Sequence, residues 1–413
     1  MNKKSTHYDI IIIGSGMVGG TLACALMEQG LRIALVEAGT VPVEWTPENY
    51  DLRVSAFTRA SEQIFRNIGV WDNIVVHRVS PFRQMRVWDG TGSGMIHFDC
   101  AELGEDILGY IIENSVIQNA LFENVQKSKD IDVIHPVKPR SLSLNADEVI
   151  LHLDNDQTLT SRLIIGADGN QSWVREQADI AYRGWSYGQK AVVCAVKTSK
   201  QHQETAWQRF MPDGPLAFLP LADHHCCSIV WSTTPEHADH LLSLDDASFI
   251  VELQKAFGET LGTIQSAGPR GAFPLNLRHA EEYTKSRLAL IGDAAHMAHP
   301  LAGQGVNLGL LDAVTLAEVL IDANKAGKDI GALAVLRRYE RWRKGNNMFM
   351  LAVMDGFKKL FGNNIPPVRW ARNLGLSITN KATPLKNMIV YRAMGLGGDL
   401  PRLAKNTPQI SQR

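Results

Sequence analysis

Between Leu290 and Leu311 the chain reads LIGDAAHMAHPLAGQGVNLGLL. Asp293 is the only carboxylate in this stretch, and a carboxylate accepts hydrogen bonds from ribityl or ribose hydroxyls. The residues around it are small: Gly292, Ala294, Ala295, Ala302, Gly303 and Gly305. Without bulky side chains the backbone can approach a flat ligand closely. A helix beginning near Asn307 would turn its free N–H groups toward that ligand. The plain alternative is a buried turn packed with glycine and alanine.

The elements that must position this loop are legible on both sides. The apolar strand Leu288 to Ile291 runs into Gly292-Asp293, and Asn307 to Ala326 reads as a long helix. Near the N-terminus Tyr8 to Ile13 leads into Gly14-Ser15-Gly16-Met17-Val18-Gly19, followed by a helical pattern to Gly30 and a strand, Arg32 to Val36, ending in Glu37. Strand, GxGxxG, helix, strand and acid stand in the order of a dinucleotide fingerprint. Gly14 makes the tight turn, Gly16 admits a pyrophosphate, Gly19 lets helix and strand pack, and Glu37 is placed for a ribose hydroxyl. A third glycine turn, Gly166-Ala167-Asp168-Gly169, follows the buried strand Leu163 to Ile165.

GSGMVG (14–19), GADG (166–169) and GDAAH…P…GxGxN (292–307) resemble, in that order, the single-component flavin aromatic monooxygenases of the para-hydroxybenzoate hydroxylase type. RVSAFTRAS (53–61), ENSVIQNAL (113–121), FLPL (218–221) and 288–312 are similar to their bacterial ubiquinone-biosynthesis branch. Within that branch WQRFMPDGP (207–215), GAFPLNLRHA (271–280) and NNIPPVRWARNLGL (363–376) look most like hydroxylases of 2-polyprenyl-3-methyl-6-methoxy-1,4-benzoquinol. The resemblance covers nearly the full length. It implies an α/β fold: a Rossmann-like FAD-binding domain, an inserted, mostly antiparallel β substrate domain and a helical C-terminal region. It also implies FAD as cofactor, NAD(P)H and O₂ as co-substrates and a polyprenyl quinol as substrate. The chemistry would be reduction of FAD by NAD(P)H, O₂ addition as a C4a-hydroperoxide and oxygen transfer to an electron-rich ring carbon, since cofactors carry the hard step in such enzymes.

Carried over residue by residue, Asp293 matches the ribityl-binding acid and Pro300 the proline beside the isoalloxazine. The N–H groups of Val306 and Asn307 would face the flavin pyrimidine carbonyl and stabilise the anionic reduced ring. Arg53 matches an arginine near the flavin, Gln118 a cofactor-contacting glutamine, and Asp168 a second acid with Arg175 as its basic partner. His299, next to Pro300, is the candidate for contact with substrate, and the two are the catalytic candidates. For His296 a hydrogen-bonded structural role is the better reading. Met297 stands where this branch would have threonine, which puts substrate-side polarity there in doubt. Plainer readings stand beside these: a surface salt bridge for Arg53, a capping or surface amide for Gln118, a β-turn for Asp168-Gly169. Phe218, Leu219, Pro220, Phe273 and Pro274 are pocket-wall candidates, with core packing as the alternative.

At 413 residues and 45% hydrophobic content the chain has room for more than one domain and a large core. The boundaries expected are 1–80, 101–180 and 276–340 for the FAD domain, 81–100 and 181–275 for the β-rich substrate domain, and 341–413 for the C-terminal region. A stretch becoming helical from Arg53 toward Ile68, helices Glu113 to Val125, Leu244 to Phe257 and Leu333 to Arg343, and strands near 190–197, 206–210, 216–221 and 226–232 are expected. Net charge is −1, which gives no case for nucleic acid. From Arg341 to Arg413, however, thirteen Lys/Arg face two acids, Asp355 and Asp399. That is either a solvated helical face or a surface for anionic lipid, where each basic residue adds roughly 1 kcal/mol.

No run reaches the ~18 apolar residues of a bilayer span, and the five cysteines form no CxxC pair. A cytoplasmic protein, peripheral at the inner face of the plasma membrane, follows as the expectation, with a ubiquinone-biosynthesis complex and a homo-oligomer left open. His224-His225-Cys226-Cys227 does not make a metal site, because strand alternation would split these ligands between faces. Three further readings stay open: a sister ring-position hydroxylase, a flavin reductase of prenyl groups, and a flavin-bearing scaffold with little turnover.

Overall fold

The computed structural model describes residues 6–42, 45–46, 49–297, 304–361, 373, 386–387, 391 and 394–405. Of the site candidates, His299, Pro300 and Gly303 lie outside the described residues, as does most of the expected C-terminal region beyond 361.

The first layer is a sheet ordered Thr284–Lys285, Leu288–Leu290, Thr158–Gly166, Thr6–Ile13, Ile33–Val36, Ile131–Ile134. Its central strands are parallel. Ile10 to Ile13 form an unbroken apolar run because helices cover both faces of such a sheet; all four are buried. Register aligns the strand ends, with Ile13 opposite Gly166 and Gly166 opposite Leu290. The three glycine turns therefore leave the sheet side by side at the carboxyl ends of its strands, where open α/β sheets bind ligands.

The second layer is a nine-stranded, mostly antiparallel sheet. Tyr182–Thr198 pairs with Cys226–Thr233 and with Gly271–Ala280. Gly214–Pro220 lies between Cys226–Thr233 and Thr205–Met211. Gln84–Asp89 joins parallel to Thr205–Met211. Side chains alternate between the faces. Trp207, Phe218, Ile229 and Trp231 form a core with the helices Pro235–Ser243 and Asp246–Phe257 on one face. On the opposite face Gly271 and Phe273 meet Leu52 and Arg53, which lead into the strand Val54–Thr58. Thr234 and Asp245 cap the two helices, each accepting a backbone N–H in the first turn, as Thr and Asp do at N-caps.

The α/β architecture with a β-rich second layer agrees with the sequence reading; several element bounds differ. Val54–Thr58 is a strand, and the helix begins only at Arg59. Its partner, Gly109–Glu113, is distant in sequence, so local periodicity could not reveal the pairing. The helix expected over Leu333–Arg343 continues to Phe361, across position 340/341. Strand Gly271–Ala280 belongs to the second sheet along its whole length, and His296–Met297 pairs with it.

Candidate active site

The N-terminal turn is built by close approach. Gly14 has φ +99°, and a Cβ there would lie 2.5 Å from Ala167 O. A Cβ on Gly19 would lie 1.9 Å from Gly14 O. Gly16 differs: nothing among the described residues lies within 4 Å of its Cβ position, and it caps Met17–Ala25 without a side-chain hydrogen bond. The first N–H groups of that helix thus open onto clear space, which suits a pyrophosphate.

Glu37, at the end of Ile33–Val36, accepts from Ser15 N at 2.8 Å, Ser15 Oγ at 3.0 Å and Gly39 N at 2.8 Å. Three of its roughly four acceptor sites are taken up in shaping the turn, leaving one for a ribose hydroxyl. Asp168 also serves its own loop, accepting from Ser172 Oγ at 2.5 Å and Val174 N at 3.0 Å. Burial raises its pKa against the pull of those donors. Gly169 has φ +79°, a conformation that only glycine adopts freely. Arg175 joins this turn to the third one, donating to Ala294 O and Asn170 O, both at 3.0 Å, with its guanidinium 3.8 Å from the Tyr182 ring centre. Gln118 is half-buried on Asn114–Val125, with no side-chain hydrogen bond among the described residues.

Asp293 is the carboxylate that the site leaves open. Solvent reaches its side chain, and its oxygens have no hydrogen-bond donor among the described residues. It stands in a recess, where loss of bulk water pushes its pKa up while His296 and Arg53 pull it down. Arg53 is set by the loop before it: its N–H donates to Asp51 Oδ1 at 3.1 Å, and Asp51 N donates to Glu113 Oε1 at 2.7 Å. Its guanidinium lies 5.0 Å from the Phe273 ring centre. The structure therefore gathers Asp293, Arg53 and Phe273 where the two layers meet. Phe218 is not a wall residue; it stacks on Phe257 in the opposite core at 3.8 Å, and Pro274 faces away from Phe273.

The helix Gln304–Lys325 begins beside these groups. Nothing among the described residues lies within 4 Å of a Cβ on Gly305, and Val306 packs on the core. The side chain of Asn307 has a role the sequence reading missed. It accepts from Thr58 N at 3.1 Å and Ser61 Oγ at 2.6 Å, and donates to Ala56 O at 2.8 Å, which fixes the helix start against Val54–Thr58. Gly309 was also missed; a Cβ there would lie 2.7 Å from Val18.

A fully buried ionic network underlies the third turn. Asp312 bonds His296 Nε2, accepts from Arg343 Nε at 2.8 Å and Asn347 Nδ2 at 3.0 Å, and receives Gly292 N at 3.2 Å. Burial alone would raise the Asp312 pKa; His296 and Arg343 outweigh it and hold the group at about 2. His296 thus has the structural role expected of it. One signal was available: Asp312 interrupts an apolar helical run from Leu308 to Leu316, and a lone acid there needs partners.

A surface cleft of about 1010 Å³ beside Glu281, Lys285 and Arg341 contains none of the expected site residues. The fit for a flavin dinucleotide rests instead on the open Gly16 position, the free Asp293 carboxylate and the two helix starts. The family model for an FAD binding domain matches residues 7–345. The chain belongs to that family. FAD is its cofactor.

Proteins similar to this chain include ubiquinone hydroxylase UbiL of Rhodospirillum rubrum, 38% identical over 97% of this chain and 93% of that protein. The 3-demethoxyubiquinol 3-hydroxylase of Escherichia coli is also 38% identical, over 94% and 98%. The human mitochondrial ubiquinone biosynthesis monooxygenase COQ6 is 37% identical over 93% and 92%. Among solved structures, p-nitrophenol 4-monooxygenase PnpA of Pseudomonas putida superposes with TM-score 0.80 at 21% identity, covering 96% of this chain and 99% of that one. The flavin-dependent monooxygenase PieE, solved with FAD and substrate, has TM-score 0.69 at 18% identity, covering 94% and 72%.

Proposed function

We propose that this protein is an FAD- and NAD(P)H-dependent monooxygenase that hydroxylates the ring of a polyprenyl quinol or phenol in ubiquinone biosynthesis. The observation that carries the reading is near-full-length identity of 37–38% to relatives named for ubiquinone hydroxylation, joined to the dinucleotide turns and the open Asp293. Bound FAD supplies the electron store and the O₂-activating centre. The chain supplies the rest. Gly16 and the N-terminus of Met17–Ala25 take the pyrophosphate, Glu37 a ribose hydroxyl and Asp293 a ribityl hydroxyl. The start of Gln304–Lys325 offers N–H dipoles to the reduced ring. Arg53 and Phe273 border the ring where the β layer meets it. His299 and Pro300 remain the candidates for contact with substrate.

Among ring positions we favour the carbon hydroxylated on 3-methyl-6-methoxy-1,4-benzoquinol. The phrases at 207–215 and 271–280 favour it, whereas overall identity is nearly equal across the relatives. The test supplies FAD-loaded protein with NAD(P)H and two short-chain substrates, this quinol and a prenylphenol, and assigns the products by NMR. Hydroxylation of the quinol at its free ring carbon is expected. Faster turnover of the phenol would move the assignment to the sister step.

The proposal includes a peripheral contact with anionic lipid, by which a polyprenyl substrate would be reached. On Leu333–Phe361, Met348, Phe349 and Leu360 are exposed. On the same helix Lys359 and Lys358 lie 5.4 Å and 4.7 Å from the ring centres of Trp185 and Tyr187. Exposed aromatic and aliphatic side chains among lysines suit a headgroup layer. The protein should co-sediment with phosphatidylglycerol-containing vesicles and release at high salt. Equal recovery with neutral vesicles, or none with either, would remove this part of the reading.

A further inference from the structure

We propose that Gln208 reads a ring oxygen of the substrate and so determines which rings the site accepts. The inference rests on the reading that the flavin-facing side of the β layer seats the ring.

Strand Thr205–Met211 alternates. Trp207 belongs to the core against the helices, and Arg209 donates to Ala256 O on that same side at 2.6 Å. Phe210 packs on the other side, with Val87 and Ile96. Gln208 therefore lies on the face opposite the helices, the one that Leu52 and Arg53 cover at Gly271 and Phe273. Register gives its row across the sheet: Val87, Gln208, Ala217, Val230, Val193, Gly271. This is a floor of small and aliphatic residues with a single amide in it.

Both ends of the floor are covered. Leu52 lies over Gly271, where a Cβ would be 2.6 Å from Leu52 Cδ2, and the neighbouring Arg53 lies over Phe273. At the far end Phe361, from the C-terminal helix, stacks on Phe210 at 3.9 Å. Gln208 is only 7% exposed, yet its side chain has no hydrogen-bond partner among the described residues. The amide atoms are not sealed from solvent, so a ligand seated on this face can reach them and take up their unmade bonds. The amide offers two donors and one acceptor, which matches a quinol hydroxyl or a methoxy oxygen. The rest of the floor offers only apolar contact.

Gln208→Leu keeps the volume and removes the amide, so the folded protein should be as stable as the parent or more so. Binding is read from perturbation of the bound flavin spectrum, using a short-chain alkylated methoxyphenol and the matching alkylbenzene without ring oxygens. The variant should lose roughly tenfold in affinity for the phenol and keep its affinity for the alkylbenzene. In turnover, KM for the quinol should rise and product formed per NAD(P)H should fall. Equal loss for both ligands, or a fall in thermal stability with unchanged discrimination, would overturn the proposal. Because binding is read without turnover, a parent protein that binds both ligands but hydroxylates neither would count against the proposed reaction and leave the Gln208 comparison intact.

Discussion

Gly16→Val should give a protein that folds as well as the parent and takes up no FAD. Gly16 has φ −59° and ψ −176°, a conformation open to any L residue. Nothing among the described residues lies within 4 Å of the added Cβ, so no contact between them is disturbed. The branched side chain would instead stand in the space before the first N–H groups of Met17–Ala25. Gly19→Ala is the contrasting variant. Its Cβ would meet Gly14 O at 1.9 Å, so helix and turn must separate, at a cost of about 1–3 kcal/mol for overpacking of this kind. The measurement is flavin absorbance per protein after reconstitution, alongside urea unfolding of the apo form. Gly16→Val that binds FAD normally would show that the cofactor does not approach this turn.

Asp312→Asn should destabilise the protein by about 3–5 kcal/mol, the usual cost of removing one partner from a buried ion pair. The amide keeps the shape but leaves Arg343 buried without its counter-charge. Asp312→Leu combined with Arg343→Met should recover much of the loss, since apolar replacements of both partners are often tolerated. The same carboxylate sets a pH dependence. Its pKa in the folded protein, about 2, lies below the ordinary 3.8. Its contribution is therefore complete above about pH 4 and lost as pH falls through 2. The parent should lose stability across that window, and Asp312→Asn should lose less. Because Asp312 also receives Gly292 N, FAD release from Asp312→Asn should be faster. Parallel acid profiles for parent and variant would contradict this account of the network.

The sequence showed what is local. Each glycine turn follows a strand within a few residues, so Gly14, Gly19, Asp168 and Asp293 could be placed without coordinates. It was blind to pairings between distant segments. The strand at Val54–Thr58 depends on Gly109–Glu113, and the Asp312 network depends on Arg343 and Asn347 from another helix. Sequence order presents Glu37 and Asp168 as ligand groups, and the structure shows that each also braces its own loop. Asn307 was read through its backbone alone, although its side chain ties the helix start to Thr58 and Ser61. Phe218 and Phe273 are of one type and both lie in strands. Only the sheet's alternation and pairing reveal that one is core and the other faces the flavin layer.

Ring hydroxylation by this chain with FAD is open to direct isotopic measurement. The direct test is incubation of FAD-loaded protein with NAD(P)H, ¹⁸O₂ and the short-chain 3-methyl-6-methoxy-1,4-benzoquinol, followed by mass analysis of the ring product. One ¹⁸O atom on a new ring hydroxyl, with NAD(P)H oxidation accelerated by the quinol, is the expected result. A product whose oxygen comes from water, or an unchanged ring while NAD(P)H is consumed to peroxide with every quinol and phenol offered, would contradict it.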